Sequence, residues 1–198
     1  MGTYGAREMA AAFRTVRRNT VLIAEEIPED KYGFAPAAGS RTVGRTLAHI
    51  AAATGLHDDI HRVRHLSTLE GYNFGAIIAQ GTAVEEAPRT KAEVVALLKS
   101  NGETFAAWLE SLTPAFLAET YTDPRGQNPK TRLEGLLAAK EHEMHHRGQL
   151  MLVQRLIGQV PHLTRQNEDR LRAHAAATAS ASAAPATASA PAAAPAAT

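Results

Sequence analysis

The chain has 198 residues, enough for one domain with some left over, and a formal charge of +1 from 21 basic and 20 acidic side chains. That balance presents no basic field for nucleic acid, and no apolar run approaches the roughly 18 residues a membrane span needs. There is no cysteine, which excludes disulfides, thiolate catalysis and Cys-type zinc sites, so any metal must be held by His, carboxylate or water.

Few aromatics and many alanines favour closely packed helices over a sheet. Met9, Phe13, Val16, Thr20, Ile23 and Ile27 recur at three- and four-residue spacing and predict an amphipathic helix from about residue 6 to 27, ended by Pro28. The segment to Arg41 reads as a structured loop that tucks Tyr32 and Phe34 against the core. Ser40 or Thr42 can cap a second helix reaching about His65, with an expected inward stripe of Thr42, His49, Ala53, Leu56, Ile60 and Val63. Leu66 to Arg89 is weakly periodic and reads as a long crossover, which would make the second and third helices parallel.

Thr90 and Glu93 form a capping box that opens the third helix, whose stripe includes Val94, Leu98, Asn101, Phe105 and Trp108. Pro114 can start a short extra turn, and residues 121–130 read as a polar loop. Thr131 and Glu134 form a second capping box, opening a fourth helix that stops near Gly158. The expected fold is therefore an all-α four-helix bundle over about residues 1–165, with a long crossover between helices two and three. The Ala/Pro/Ser/Thr-rich remainder, 166–198, buries too little surface to offset the entropy of ordering and is expected to be disordered. A cysteine-free chain without a signal peptide reads as cytoplasmic.

The histidines carry the chemical signal. At 100° per residue, Gly135, Ala138, His146, Gln149, Val153 and Leu156 all fall within about 40° of His142, so two imidazoles interrupt an otherwise small and apolar stripe. An i, i+4 pair can converge on one ion, and His49, on the expected inward stripe of the second helix, offers a third ligand. The pattern leaves two readings: core histidines bonded to polar groups, or a divalent metal held by His49, His142 and His146 with water in the open position. His57, His61 and His65 lie about 80°, 120° and 160° from His49 and read as a side drifting toward solvent, with His57 at the pocket edge. His145, about 60° off His142, is placed to support a ligand from behind or to serve as an alternative ligand, and Gln149 is placed to orient an imidazole or a substrate. Asn101 either lines the pocket or is a buried, bonded amide. Glu141 and Glu143 lie about 100° to either side of the ligand face, so no general base is identified. Leu133, Leu137, Met144 and Met151 form a second apolar face, consistent with a symmetric homodimer or with packing against the third helix or the crossover.

The run His142-Glu-Met-His-His146-Arg-Gly-Gln149-Leu resembles the last helix of the DinB/YfiT-like metalloenzyme family. Glu26-Ile-Pro-Glu-Asp-Lys-Tyr-Gly-Phe34 and Thr42-Val-Gly-Arg-Thr-Leu-Ala-His49-Ile resemble the link after its first helix and the start of its second, so the likeness spans about residues 6 to 163. The resemblance implies a four-helix bundle with parallel middle helices and a divalent ion, often zinc or nickel, on positions matching His49, His142 and His146. It further implies a metal-dependent transferase that activates a low-molecular-weight thiol for a small-molecule substrate. The alternatives are a metal-dependent hydrolase and a non-catalytic, metal-binding stress-response bundle. The residues themselves offer no phosphate-binding surface and no apolar run of spanning length, so no nucleic-acid or membrane partner is expected.

Overall fold

The computed structural model describes residues 4–183 and divides the chain into two units, Met1–Pro161 and His162–Thr198. The first holds α1 (Ala6–Glu26), α2 (Val43–His57, continued by a π-helical turn Asp58–Val63), α3 (Phe74–Glu86), α4 (Lys91–Glu110), the short α5 (Pro114–Ala118) and α6 (Arg132–Leu156). A two-residue pair of strands, β1 (Thr120–Tyr121) and β2 (Lys130–Thr131), runs antiparallel just before α6. The predicted caps are in place. Thr42 accepts from the Arg45 amide, and Thr90/Glu93 and Thr131/Glu134 close reciprocal boxes. Gly158, at φ +82°, takes the left-handed conformation just past the end of α6.

The long helices α1, α2, α4 and α6 make the bundle. Arg17 meets Glu143 while Glu26 meets Gln154, so α1 and α6 run in the same direction. Asn101 bonds to Ala51 and the His57 ring lies near Phe105, so α2 and α4 are parallel too. Arg14 on Glu103 and Lys99 on Glu25 set α1 against α4, and His49 on His142 with His61 on Arg132 set α2 against α6. This is the arrangement a crossover between the second and third bundle helices requires.

That crossover differs from the expected loop, because it contains α3. Asn73 caps the helix by accepting from the Ala76 amide, and its one buried side chain is Glu85. A helix that buries a carboxylate and no apolar residue leaves no amphipathic stripe to read. The sequence beyond 165 also differs over its first part: His162–Ala183 is helical. No proline occurs between Pro161 and Pro185 and alanine is the strongest helix former, so nothing local interrupts it. The rest of the expected disordered segment lies outside the described residues.

Two apolar clusters fill the bundle. One gathers Ile23, Ile27, Leu47, Ile50, Leu98 and Leu150, with Tyr32 buried and Phe34 packed against it as expected. The other gathers Met9, Phe13, Phe105, Leu109 and Leu136. Of the outward apolar residues proposed on α6, Leu133, Leu137 and Met151 pack on these clusters, while Met144 is exposed. Between the clusters, along the sequences of α1, α4 and α6, lies a polar layer centred on Arg17, which is 4% exposed. Its Nε donates to both Glu143 oxygens at 3.0 Å, Nη1 donates to the Leu98 carbonyl at 2.7 Å, and Nη2 donates to the Ile50 carbonyl at 3.3 Å. Gly102 makes room for it, since a Cβ there would lie 2.6 Å from Arg17 Cγ.

At the far end of α2 the structure corrects the solvated reading of His61. It is 1% exposed, its Nδ1 accepting from Arg132 Nη1 at 3.1 Å. The buried stripe of α2 is Val43, Leu47, Ile50, Ala51 and Thr54, about 130° round from His49, which places His61 near the core and Val63 in solvent. His65 is exposed and pairs with Glu119.

Two outcomes follow from these buried groups. Arg17→Met strands Glu143 as an unpaired buried carboxylate and is expected to cost about 3–5 kcal/mol in urea unfolding, most of it recovered in R17M/E143L; equal losses in the single and double variants would refute this. Burial first, then the charges of neighbours including Arg132, lower the His61 pKa to about 3. Below its ordinary value the unfolded chain takes up a proton that the folded chain refuses, so stability falls as pH drops from about 6.5 toward 3. Between pH 6.5 and 5 the His61 share is about 1.5 kcal/mol, and H61Q should flatten that part of the midpoint-versus-pH curve.

Candidate metal centre

His49 comes from the middle of α2, and His142 and His146 from successive turns of α6. Their ring nitrogens meet at the level of the polar layer. The His142 Nε2 lies 3.1 Å from His49 Nε2 and 3.2 Å from His146 Nε2, and one ligand atom of each residue falls within 4.8 Å of the others. The rings stand at steep angles to one another, 59° to 83°, as donors aimed at a common point do.

The outer nitrogens fix the protons. His49 Nδ1 lies 2.5 Å from Glu85 Oε1, so its N–H donates to a carboxylate. His146 Nδ1 donates to Gln149 Oε1 at 2.8 Å. With both protons held there, the Nε2 atoms of His49 and His146 are lone pairs, and the single Nε2 of His142 faces both. One N–H cannot serve two acceptors well, whereas a cation can accept all three lone pairs. Two nitrogens at 2.0–2.1 Å from a tetrahedral ion are about 3.3 Å apart, close to the spacings here. The donor set therefore fits a divalent ion with at least one position left open.

Electrostatics agree. Burial first, then the neighbouring His146 and His49, lower the His142 pKa to about 4; burial likewise lowers His146, opposed by its bond to Gln149. Both rings are thus kept neutral, the form that binds metal. Burial pushes Glu85 up, but the bonds from Arg41 and His49 outweigh it and the carboxyl ends below its ordinary range. Arg41 Nε donates to Glu85 Oε2 at 2.7 Å.

His49 and His142 form part of the wall of a cavity of about 790 Å³ bounded by α2, α3, α4 and α6. His57 also lines it, its pKa lowered to about 4 by burial. Asn101 both lines the cavity and donates to the Ala51 carbonyl at 3.1 Å, so the two roles weighed for it coexist. His145 stands outside the ligand set, and its Nε2 accepts from Gln149 Nε2 at 3.1 Å.

The histidine stripe and the core stripe of α6 are not the same. The buried positions Leu136, Ala139, Glu143, Leu150 and Gln154 centre about 95° round from His142. The triad therefore sits at the rim of the core, where the cavity is. Glu143, set aside as lying beside the ligand face, is in the core with Arg17. Glu85 and Arg41 were missed. Glu85 lies in a segment without periodicity, and nothing local links it to a residue 36 positions earlier.

A family model described as the DinB superfamily matches residues 12–150. No curated protein matches the chain. Among solved structures, a DinB-like protein from Bacillus subtilis is 24% identical, with a TM-score of 0.57 over 77% of this chain and 94% of its own. YfiT from Bacillus subtilis, described as a probable metal-dependent hydrolase with an unusual four-helix bundle topology, is 15% identical, with a TM-score of 0.61 over 80% of this chain and 91% of its own. A DinB-like protein from Bacillus cereus is 17% identical, with a TM-score of 0.59 over 78% and 93%. At these identities the likeness is one of fold.

Removing the charge that orients His49 should be felt at the metal. Glu85→Gln is expected to weaken zinc affinity about 10- to 100-fold in a competition titration with a chromophoric chelator. Unchanged affinity would show that Glu85 serves only to dock α3.

Proposed function

The chain belongs to the DinB superfamily, and from that membership and the geometry of the histidines we propose a metal-dependent transferase that activates a small thiol and joins it to an electrophilic small molecule. The reading is carried by three imidazoles converging beside a large cavity. A divalent ion, zinc or nickel by the borderline softness of a site for imidazole and sulfur, supplies there the Lewis acidity that lowers a thiol's pKa.

The residues divide the remaining work. His49, His142 and His146 are the ligands. Glu85 holds the proton on His49 Nδ1, and Gln149 holds it on His146 Nδ1, so both rings keep a fixed orientation. The chain has no cysteine, so the thiol arrives as a co-substrate. Transfer forms a carbon–sulfur bond and breaks the bond from that carbon to its leaving group, which departs with the thiol proton.

Hydrolysis is the second reading, favoured by the description of the similar YfiT structure. The acids on the cavity wall favour transfer. Asp58 is bonded to Arg62, and Glu85 to Arg41 and His49. Both are paired with arginine, whereas a thiol of lowered pKa ionises without a protein base. A purely structural ion would sit in a sealed site rather than on a cavity wall, which weighs against a non-catalytic bundle. None of the described helices is long and apolar enough to cross a membrane, in keeping with small-molecule substrates.

The test joins metal analysis to a conjugation assay. The wild-type chain should carry close to one equivalent of divalent metal and conjugate cysteine or glutathione to 1-chloro-2,4-dinitrobenzene above the uncatalysed rate. His146→Ala should lose both the metal and the activity. Absence of metal-dependent turnover with every thiol and electrophile offered would remove the reading, and metal-dependent ester cleavage in its place would establish hydrolysis.

A further inference from the structure

The helix that walls the cavity has a composition at odds with its burial. Phe74–Glu86 reads FGAIIAQGTAVEE, mostly apolar, yet the one residue it buries is Glu85. Phe74, Ile77, Ile78 and Val84 line the cavity, and Ile78 is 64% exposed. Across from them stand Leu56, Leu97 and Phe105 from α2 and α4. The helix is held by a polar clasp, Glu85 to Arg41 and His49, with Arg45 on Glu86 beside it.

The charged groups on the wall are engaged elsewhere. Arg41 is on Glu85, Arg62 is on Asp58, and Arg89 donates to the Val84 and Ala87 carbonyls. What remains toward the space is mostly hydrocarbon, interrupted by neutral polar side chains such as Asn101 and Thr104, and removing that hydrocarbon from water is worth about 25 cal/mol per Å². A volume of about 790 Å³ is that of a small-molecule site rather than of a gap left by packing.

We infer that the molecule modified at this site has a neutral, largely apolar body, and that it lodges between α3 and the α2–α4 face with its reacting atom toward His49 and His142. The reacting end rests on the thiol-transfer reading above; the apolar body rests on the walls alone. Affinity comes from the body and chemistry from the histidine end, so longer alkyl or aryl groups should bind more tightly until the cavity is full.

The test uses the full metal-loaded chain and the neutral fluorophore N-phenyl-1-naphthylamine. One saturable site is expected, from which n-alkanols displace the probe with affinity rising by chain length. Ile77→Glu, which places a charge on the wall of a sparsely buried helix, should weaken the probe about tenfold or more while the metal content stays at the wild-type value. Ile77→Leu should restore binding. No saturable binding, or binding equal in I77E and wild type, would overturn the inference even if thiol conjugation stands. Probe binding that responds to I77E supports it even if conjugation fails, and in that case the thiol reading alone is lost.

Discussion

Arg17 touches α2, α4 and α6 from α1, all at one level of the bundle. Taking a guanidinium out of water is expensive, and the cost is offset only because Glu143 supplies a carboxylate and two helix carbonyls supply further acceptors. Each partner is fixed by its own helix, so the contact sets the rotation and height of all four at once. Gly102 shows how closely the helices approach around it, since even a methyl group there would meet the Arg17 side chain. A purely apolar layer at this level could slide or rotate with little penalty; a four-way charged contact cannot.

The histidine triad depends on that registration. His49 is one residue from Ile50, whose carbonyl Arg17 holds, and His142 is one residue from Glu143. Fixing Ile50 and Glu143 in the core turns the preceding residue of each helix toward the rim, where the two imidazoles meet. The site is thus built from the residues next to the polar layer, close enough to be positioned by it and far enough round to reach the cavity. With the outer nitrogens of His49 and His146 tied, two of the three imidazoles are primed to bind a cation without ring rotation.

Some of the site could be read from local pattern. The i, i+4 spacing of His142 and His146 puts both rings on one face of any helix, whatever surrounds it, and Gln149, one turn on, shares that face. The sequence places His49 on an inward face, and its imidazole does meet those of His142 and His146 although the core face lies elsewhere. His61 shows the opposite outcome. Counted from the wrong stripe it falls outward, yet it is buried because Val43, Leu47, Ile50 and Thr54 define the inward face. Glu85 had no pattern at all, because α3 docks through one carboxylate rather than through an apolar stripe.

The sequence by itself determined the helices and their ends, through periodic apolar residues and capping boxes whose partners lie within three or four positions. It also determined the convergent histidine pair on α6, since helical geometry alone sets the distance between those rings. Tertiary structure decided what depends on residues distant in the chain: the pairing of Arg17 with Glu143, the carboxylate behind His49, and the cavity beneath α3. A local pattern reports which face of a helix is apolar, but charges buried against each other and space enclosed by separate helices exist only once the helices have packed.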